Sequence, residues 1–243
     1  MCQRRDKNQR VSIITQSGKG IGRIIAQKLA SQGIIVNIND NDLEAGLKTA
    51  EEIITSGDQA SIMKENLNRE NEVEFMMSEV FHKYGSIDIL INLLDIEKNI
   101  KKEETKISYL SNIVFEKIKS IFLCSQYALR YMQEQRYGKI INIFVSPKQD
   151  SIAKSILFVL KGCIEGMTKG ISLEGEIHNI QVNSVISFLS HSGIRLEEGK
   201  NIHNGEAEGK NLDICNNENI IKMVLLLINN SNRYLTGHIF EIK

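Results

Sequence analysis

The feature that most restricts the fold of this chain is a regular alternation of short apolar runs with longer amphipathic segments. Glycines and polar residues separate the two kinds of segment along the whole sequence. Such alternation predicts βαβ units, in which a parallel sheet is covered by helices on both faces. The predicted strands are residues 11–14, 34–38, 60–63, 87–94, 139–145, 180–188 and 237–242. The predicted helices are residues 21–32, 43–56, 71–84, 107–137, 155–174 and 219–228, with a division into two helices near Ser111 as the alternative for 107–137.

The length of 243 residues suits one α/β domain, and no repeat or linker interrupts the pattern. We therefore predict a single-domain, Rossmann-type, doubly wound parallel sheet of about seven strands over residues 1–243. Residues 1–10 are polar and are expected to form a flexible N-terminus. Residues 190–217 are rich in glycine and asparagine and are predicted to form a lid-like loop.

Composition excludes several classes of partner. The 30 basic and 30 acidic side chains balance and are interleaved, which argues against nucleic acid as a partner. No apolar stretch reaches membrane-spanning length, and the N-terminus has no apolar core of a signal peptide. The four cysteines are scattered and no zinc-ligand spacing is present, so we expect a cytoplasmic protein without a metal site.

The first predicted strand leads into a glycine-rich turn, TQSGKGIG (15–22), and then a helix. Glycines in this context let backbone N–H groups approach a pyrophosphate at the helix N-terminus. Asp40 stands 18 residues after Gly22, at the end of the second strand. A carboxylate there accepts hydrogen bonds from an adenosine ribose and favours NAD over NADP. The alternatives are a plain strand–helix turn and an Asp cap for the following helix.

Several co-linear segments resemble the short-chain dehydrogenase/reductase family along nearly the full length. They are TQSGKGIG (15–22), YGSIDILIN (84–92), IFLCSQYALRYM (121–132), YGKIINI (137–143), KGCIEGMTK (161–169), IQVNSV (180–185) and YLTG (234–237). The resemblance implies a Rossmann-type fold and an NAD(P)-dependent oxidoreductase ancestry. In that family a Tyr, a Lys, a Ser and an Asn carry out proton transfer while NAD(P) carries the hydride.

The resemblance also implies that most of the catalytic set is absent. Lys161 matches the family lysine, but Leu157 stands at the tyrosine position. Val145 stands at the serine position (Phe144 if the loop is aligned differently), and Lys117 stands at the asparagine position. Leucine and valine cannot exchange a proton with a substrate oxygen.

A second alignment would place Asp150 and Lys154 at the tyrosine and lysine positions. It requires sliding the helix by seven residues against the segment GMTK at 166–169. The first alignment is therefore preferred.

The cofactor positions implied by the resemblance are only partly kept. They are Thr15, Gly18, Gly20, Ile21, Gly22, Asp40, Asn66, Asn92 and Lys161. Gln16 replaces the first family glycine, and a positive φ there would be strained. The family sequence NNAG reads Asn92-Leu93-Leu94-Asp95, and a Pro-Gly pair reads Ser187-Phe188. We therefore expect NAD binding to be weak or lost.

The family packs subunits through the helices that correspond to residues 115–135 and 155–174, so a dimer or tetramer is expected. The leading hypothesis is a non-catalytic subunit beside an active, paralogous NAD-dependent hydroxyacyl or alcohol dehydrogenase. It resembles the heteromeric enzyme of anaerobic toluene (benzylsuccinate) breakdown, in which one subunit lacks the active site. The alternatives are an active NAD(P)-dependent oxidoreductase with a site rearranged around Lys161 and Asp40, and a dinucleotide-sensing module.

Overall fold

A computed structural model describes residues 9–95, 107–146, 151–188, 207–232 and 234–242 of the chain. These residues form one domain with a parallel sheet of seven strands in the order β3-β2-β1-β4-β5-β6-β7. The strands are β1 Val11–Thr15, β2 Ile35–Asn39, β3 Ala60–Met63, β4 Ile89–Asp95, β5 Gly138–Ser146, β6 Ile180–Phe188 and β7 Ile239–Ile242. The helices are α1 Gly20–Ala30, α2 Leu43–Thr55, α3 Glu70–Tyr84, α4 Ile107–Gln135, α5 Ser151–Glu176 and α6 Ala207–Ile228. The predicted doubly wound parallel sheet is confirmed.

Helices cover both faces of the sheet, which explains why its strands are nearly continuous apolar runs. One apolar core joins the sheet to α1, α2 and α6, and includes Ile25, Ile53 and Val224. The other face packs against α3, α4 and α5, with Met76 and Leu129 among its fully or almost fully buried side chains. Strands buried on both sides keep apolar residues on both sides, and period-2 alternation is lost.

The order of the strands reverses at β1. From β1 the chain winds outward through β2 and β3, and β4 then returns to the other side of β1. The connections that leave the carboxyl ends of β1 and β4 therefore diverge and open a crevice between them. Ligands of open α/β sheets bind at such a switch point.

The long helix predicted over residues 107–137 is confirmed as α4, and its alternative, a division near Ser111, is wrong because no glycine or proline interrupts the helix. The segment 190–217 was predicted to be a loop, but the chain is helical from Ala207. Asparagine and one glycine lower helix propensity by less than about 1 kcal/mol each, which the surrounding structure can override. Residues 189–206 and 1–8 lie outside the described part of the chain.

None of the helices in the described ranges is long and apolar enough to cross a bilayer.

Candidate active site

The connection between β1 and α1 forms a tight turn at the carboxyl edge of the sheet. Gln16 adopts φ of 52°, in the left-handed region that suits glycine. A Cβ atom at Gly22 would lie 2.6 Å from the carbonyl oxygen of Gln16 and 2.8 Å from Cα of Ser17, so only glycine fits there. This close approach directs the first-turn N–H groups of α1, which lack intrahelical acceptors, toward the crevice. Such a turn suits a phosphate group.

Asp40 joins this turn to the next helix. Its side chain is buried, and its two carboxylate oxygens accept hydrogen bonds from the backbone N–H of Gly18 (2.8 Å) and of Asp42 (2.9 Å). Thr49 Oγ1 donates to the carbonyl oxygen of Gly18 at 2.8 Å. The cap of α2 is Asp42, whose side chain accepts from Ala45 N–H at 3.1 Å, so the alternative role of Asp40 as the helix cap is wrong.

Two further predicted cofactor residues make contacts within the protein. Thr15 Oγ1 accepts a hydrogen bond from Leu93 N–H at 2.9 Å and ties β1 to β4. Asn66 is exposed after β3, and its side-chain oxygen accepts from Asn68 N–H at 2.9 Å. Their role in holding a cofactor stays a prediction.

Asn92, also predicted to contact the cofactor, belongs to a buried polar network beneath the carboxyl edge. Its amide nitrogen donates to Ser125 Oγ (3.0 Å) and to Asn142 Oδ1 (2.9 Å). Asn142 in turn donates to Thr168 Oγ1 at 3.1 Å. The network therefore links β4 and β5 to the two helices above them, α4 and α5. Sequence reasoning missed it because its members lie far apart in the chain.

Leu157, the residue predicted to stand at the family tyrosine position, lies inside an apolar cluster. Leu157 is only 6% exposed and packs with the fully buried or nearly fully buried Leu94, Phe144 and Ile186. Val145, at the serine position, is half-buried and packs on the opposite face of the sheet with the core of α1 and α6. Neither position supplies a group that can exchange a proton.

Lys161 lies one helical turn after Leu157 and pairs with two carboxylates. Its ammonium group contacts Glu241 of β7 and lies 3.5 Å from Glu165 of the same helix. The hydrogen bond that Lys161 donates to the Glu241 carboxylate raises the pKa of Lys161, and the charge of Glu165 adds to this effect. Glu241 is a site residue that sequence reasoning missed, because it stands 80 positions from Lys161. The third replaced position, Lys117, lies on α4, where its backbone carbonyl accepts from Ser120.

Some predictions concern atoms outside the described part of the chain. They are those about Asp150 and about the side chains of Asp95, Lys154 and Phe188. Among the residues that the structure describes, no group of three or more His, Cys, Asp or Glu side chains could hold a metal ion.

The two ends of the crevice fit a dinucleotide unequally. At the adenosine end, the N–H groups of Gly20, Ile21 and Gly22 fit a pyrophosphate, and Asp40 keeps lone pairs for ribose hydroxyls. A nicotinamide, when bound, supplies hydride transfer. At the other end, Leu157 and Val145 provide no proton donor for the oxygen of a reacting carbonyl.

Comparison with known proteins agrees with this architecture. Residues 16–242 match the family described as enoyl-(acyl carrier protein) reductase. The 3-oxoacyl-(acyl-carrier-protein) reductase of Aquifex aeolicus is 28% identical over 236 residues, covering 96% of this chain and 95% of the relative. A subunit of (2S)-((R)-hydroxy(phenyl)methyl)succinyl-CoA dehydrogenase from Thauera aromatica, BbsD, is 28% identical over 183 residues, covering 75% and 74% of the two chains.

A solved structure supports the fold. The structure of an actinorhodin polyketide ketoreductase variant with NADPH superimposes with a TM-score of 0.80 at 21% identity, covering 98% of this chain and 97% of that one. The family match spans almost the whole sequence, and the glycine turn, Asp40 and the strand order belong to the same architecture. This chain is a member of the short-chain dehydrogenase/reductase family of oxidoreductases.

Proposed function

We propose that this chain is a non-catalytic subunit that supports or regulates an active, paralogous NAD-dependent hydroxyacyl or alcohol dehydrogenase in a heteromeric complex. The observation that carries the proposal is the environment of Leu157. A proton donor at this position would need an open, partly polar cavity, whereas Leu157 is 6% exposed and packs against Phe144, Leu94 and Ile186. The replacement has been accommodated by the surrounding packing and forms part of an apolar core.

The pairing of Lys161 supports the same proposal. In a catalytic member of the family the lysine acts on the tyrosine and on the cofactor. Here its ammonium group contacts Glu241, and the pKa of Lys161 is raised as a result. A lysine held in ion pairs with two carboxylates serves the packing of α5 against β7.

The outer faces of α4 and α5 are the proposed surface for the paralogous subunit. Phe115 and Phe122 of α4 are 67% and 47% exposed, and Phe158 of α5 is 61% exposed; exposed apolar side chains of this size often mark interaction surfaces. Gly162 and Gly166 lie beside them with open space around the position of a Cβ atom, so a partner helix can approach closely. The relative from Thauera aromatica is itself described as a subunit.

A second candidate is a dinucleotide-sensing module that binds NAD(H) without chemistry. The retained adenosine end favours it, because Asp40 is fixed against Gly18 at 2.8 Å and Gly20 opens the turn at φ of 59°. Binding by the chain alone separates this candidate from the first.

Titration with NADH, followed by fluorescence and by thermal shift, tests both candidates. The subunit proposal expects no turnover with carbonyl or hydroxyacyl substrates, and isolation from the native host together with a catalytically complete family member. NADH binding at micromolar concentration without turnover would favour the sensor. Turnover by the isolated chain, or isolation without any such family member, would contradict the subunit proposal.

The double variant Leu157→Tyr/Val145→Ser tests the loss of the site itself. We expect no carbonyl reduction, because the tyrosine would have to displace the packing of Phe144 and Ile186, and because Lys161 is paired elsewhere. The matched control is Phe158→Tyr, which places the same side chain at an exposed neighbouring position. Measurable NADH-dependent reduction by the double variant alone would show that the catalytic arrangement is still available.

A further inference from the structure

β3 is an edge strand, and half of its backbone N–H and C=O groups point away from the rest of the sheet. The carbonyl oxygens of Gln59 and Met63 accept hydrogen bonds from Val36 N–H (3.0 Å) and Asp40 N–H (3.3 Å) of the neighbouring strand and its end. Since backbone groups alternate along a strand, those of Ala60 and Ile62 point outward. An open edge without proline is a template for another strand.

An apolar stripe on α2 borders the same edge. Leu43, Leu47 and Ile54 are 43%, 41% and 54% exposed, and with Ala50 they follow the 4-3-4 spacing of a helix–helix seam. The side chain of Ile62 packs against Gly46, so α2 packs against the edge strand. The backbone groups of Ala60 and Ile62 that point outward have no backbone partner among the described residues. Together with the stripe they form one continuous surface, which we call the β3 edge.

We propose that the β3 edge binds a second copy of this chain, with the two β3 strands antiparallel about a two-fold axis at Ser61. In this register Ala60 pairs with Ile62 of the second copy, and both residues direct their N–H and C=O groups outward. Registers shifted by one residue would oppose outward to inward backbone groups and form no ladder.

Charge favours the same register. Asp58 and Lys64 flank β3, and their even separation of six residues places both side chains on the same face of an extended backbone. Within the described ranges neither has an ion-pair partner. An axis at Ser61 places Asp58 opposite Lys64 of the second copy, and symmetry repeats the pair. Opposite charges at directly facing positions stabilise antiparallel strands.

The helices meet at the same axis. Ile62 lies beside Gly46, and Ser61 is one residue, about 3.3 Å, from Ile62 along the strand. The same distance corresponds to about two residues along a helix, so the axis at Ser61 passes near Lys48 of α2. Antiparallel α2 helices that cross at Lys48 bring Leu43 near Ile54 of the second copy. Since α2 contacts both β2 and β3, it would lie about one strand spacing from the axis. The two helices of the proposed dimer would then be about 9–10 Å apart, within the usual packing distance.

This contact goes beyond the proposed function and is independent of it. The β3 edge lies at the end of the sheet away from β4, β5 and β6, against which α4 and α5 pack. Both surfaces can be occupied together, which would place two copies of this chain side by side with a paralogous subunit on each.

Charge reversal tests the register. Lys64→Glu replaces two attractive pairs by two repulsive ones. We expect it to raise the dissociation constant at least tenfold and to lower the average molar mass in sedimentation equilibrium at concentrations around and above the parent dissociation constant. Asp58→Lys combined with Lys64→Glu should restore the parent mass, which a merely misfolded variant would not do. Lys28→Glu, an exposed charge on α1, is the control and should keep the parent mass. Equal masses for the parent and Lys64→Glu, or no recovery in the double variant, would overturn the proposal.

A cross-link tests the axis. In the proposed dimer, Ser61 of one copy lies opposite Ser61 of the other at a non-hydrogen-bonded position. Cα atoms at such a position are about 4.5 Å apart, so a disulfide can form between cysteines placed there. Ser61→Cys, in a chain with Cys2, Cys163 and Cys215 replaced by serine, should form a linked dimer at least tenfold faster than exposed Ser56→Cys under mild oxidation. Equal cross-linking rates for Ser61→Cys and Ser56→Cys would overturn the proposal, because they would show that no second copy pairs with β3 at Ser61.

Discussion

The two ends of the crevice at the carboxyl edge differ in what their sequence retains. At the adenosine end, Gly22 permits the tight turn and Asp40 is held by two backbone N–H groups. At the nicotinamide end, Leu157 and Leu94 fill the space with apolar atoms. The first end relies on backbone geometry that the fold itself needs, whereas the second relies on side chains that only chemistry needs. If the chain is the non-catalytic subunit proposed above, the second end is free to become core while the first is retained.

Truncating Leu157 is the strongest test of this contrast. If the nicotinamide end is core, Leu157→Ala leaves a cavity and lowers the free energy of unfolding by about 2–5 kcal/mol. Phe158→Ala, at an exposed neighbour, should change it by less than about 0.5 kcal/mol. Urea unfolding followed by circular dichroism measures both. A neutral Leu157→Ala would mean that the position faces an open pocket, and the contrast between the two ends would fail.

Adding a methyl group at Gly22 tests the adenosine end. The new Cβ would lie 2.6 Å from a backbone oxygen, and the required shift should lower the free energy of unfolding by about 1–3 kcal/mol. Gly162→Ala, in open space on a helix, should raise it by up to about 1 kcal/mol. The same unfolding assay compares the two, and equal effects would argue that the turn is not held as described.

Replacing Gln16 by glycine, the residue expected at this position in the family, should relieve strain in the same turn instead of adding it. Gln16→Gly relieves a positive φ and should raise the free energy of unfolding by about 1 kcal/mol. Gln32→Gly, outside the helix in an exposed turn without positive φ, should give no such gain. If both variants lose stability to the same extent, contacts of the Gln16 side chain outweigh the backbone strain.

The smallest expected effect concerns Lys161 and pH. Because the pKa of Lys161 is raised in the folded state, the charged form stabilises the protein fully below the unfolded pKa of about 10.4, and this contribution is lost as pH rises through the folded pKa. Lys161→Met should therefore be less stable than the parent by up to about 1 kcal/mol at neutral pH, with the gap closing above about pH 10.4. Lys169→Met, on an exposed position, is the control. If the difference in stability between the parent and Lys161→Met stays constant to pH 12, lost packing and not lost charge accounts for it.

Patterns within a single segment predicted the fold well. Residues 60–63 and 180–188 form β3 and β6 with the predicted bounds, because both are apolar runs between clear turn signals. The start of α6 was missed, since polar composition describes an exposed helix as readily as a loop.

The site was less predictable because it depends on which segments meet. The glycine turn and Asp40 could be found from one βαβ unit. The pair between Lys161 and Glu241, and the network around Asn92, depend on the register of strands that are distant in sequence. No local pattern contains that information.

The asparagine pair at the centre of the sheet also has a consequence for folding. β4 and β5 are both rich in isoleucine, and shifting one by two residues would preserve which side chains face each layer of helices. In the native register Asn92 faces Asn142, whereas such a shift would set it against Ile140 or Phe144. Each side-chain amide left without a hydrogen-bond partner would then destabilise the shifted register by about 1–3 kcal/mol. The two asparagines therefore favour the native register of β4 and β5 over registers that are shifted by two residues.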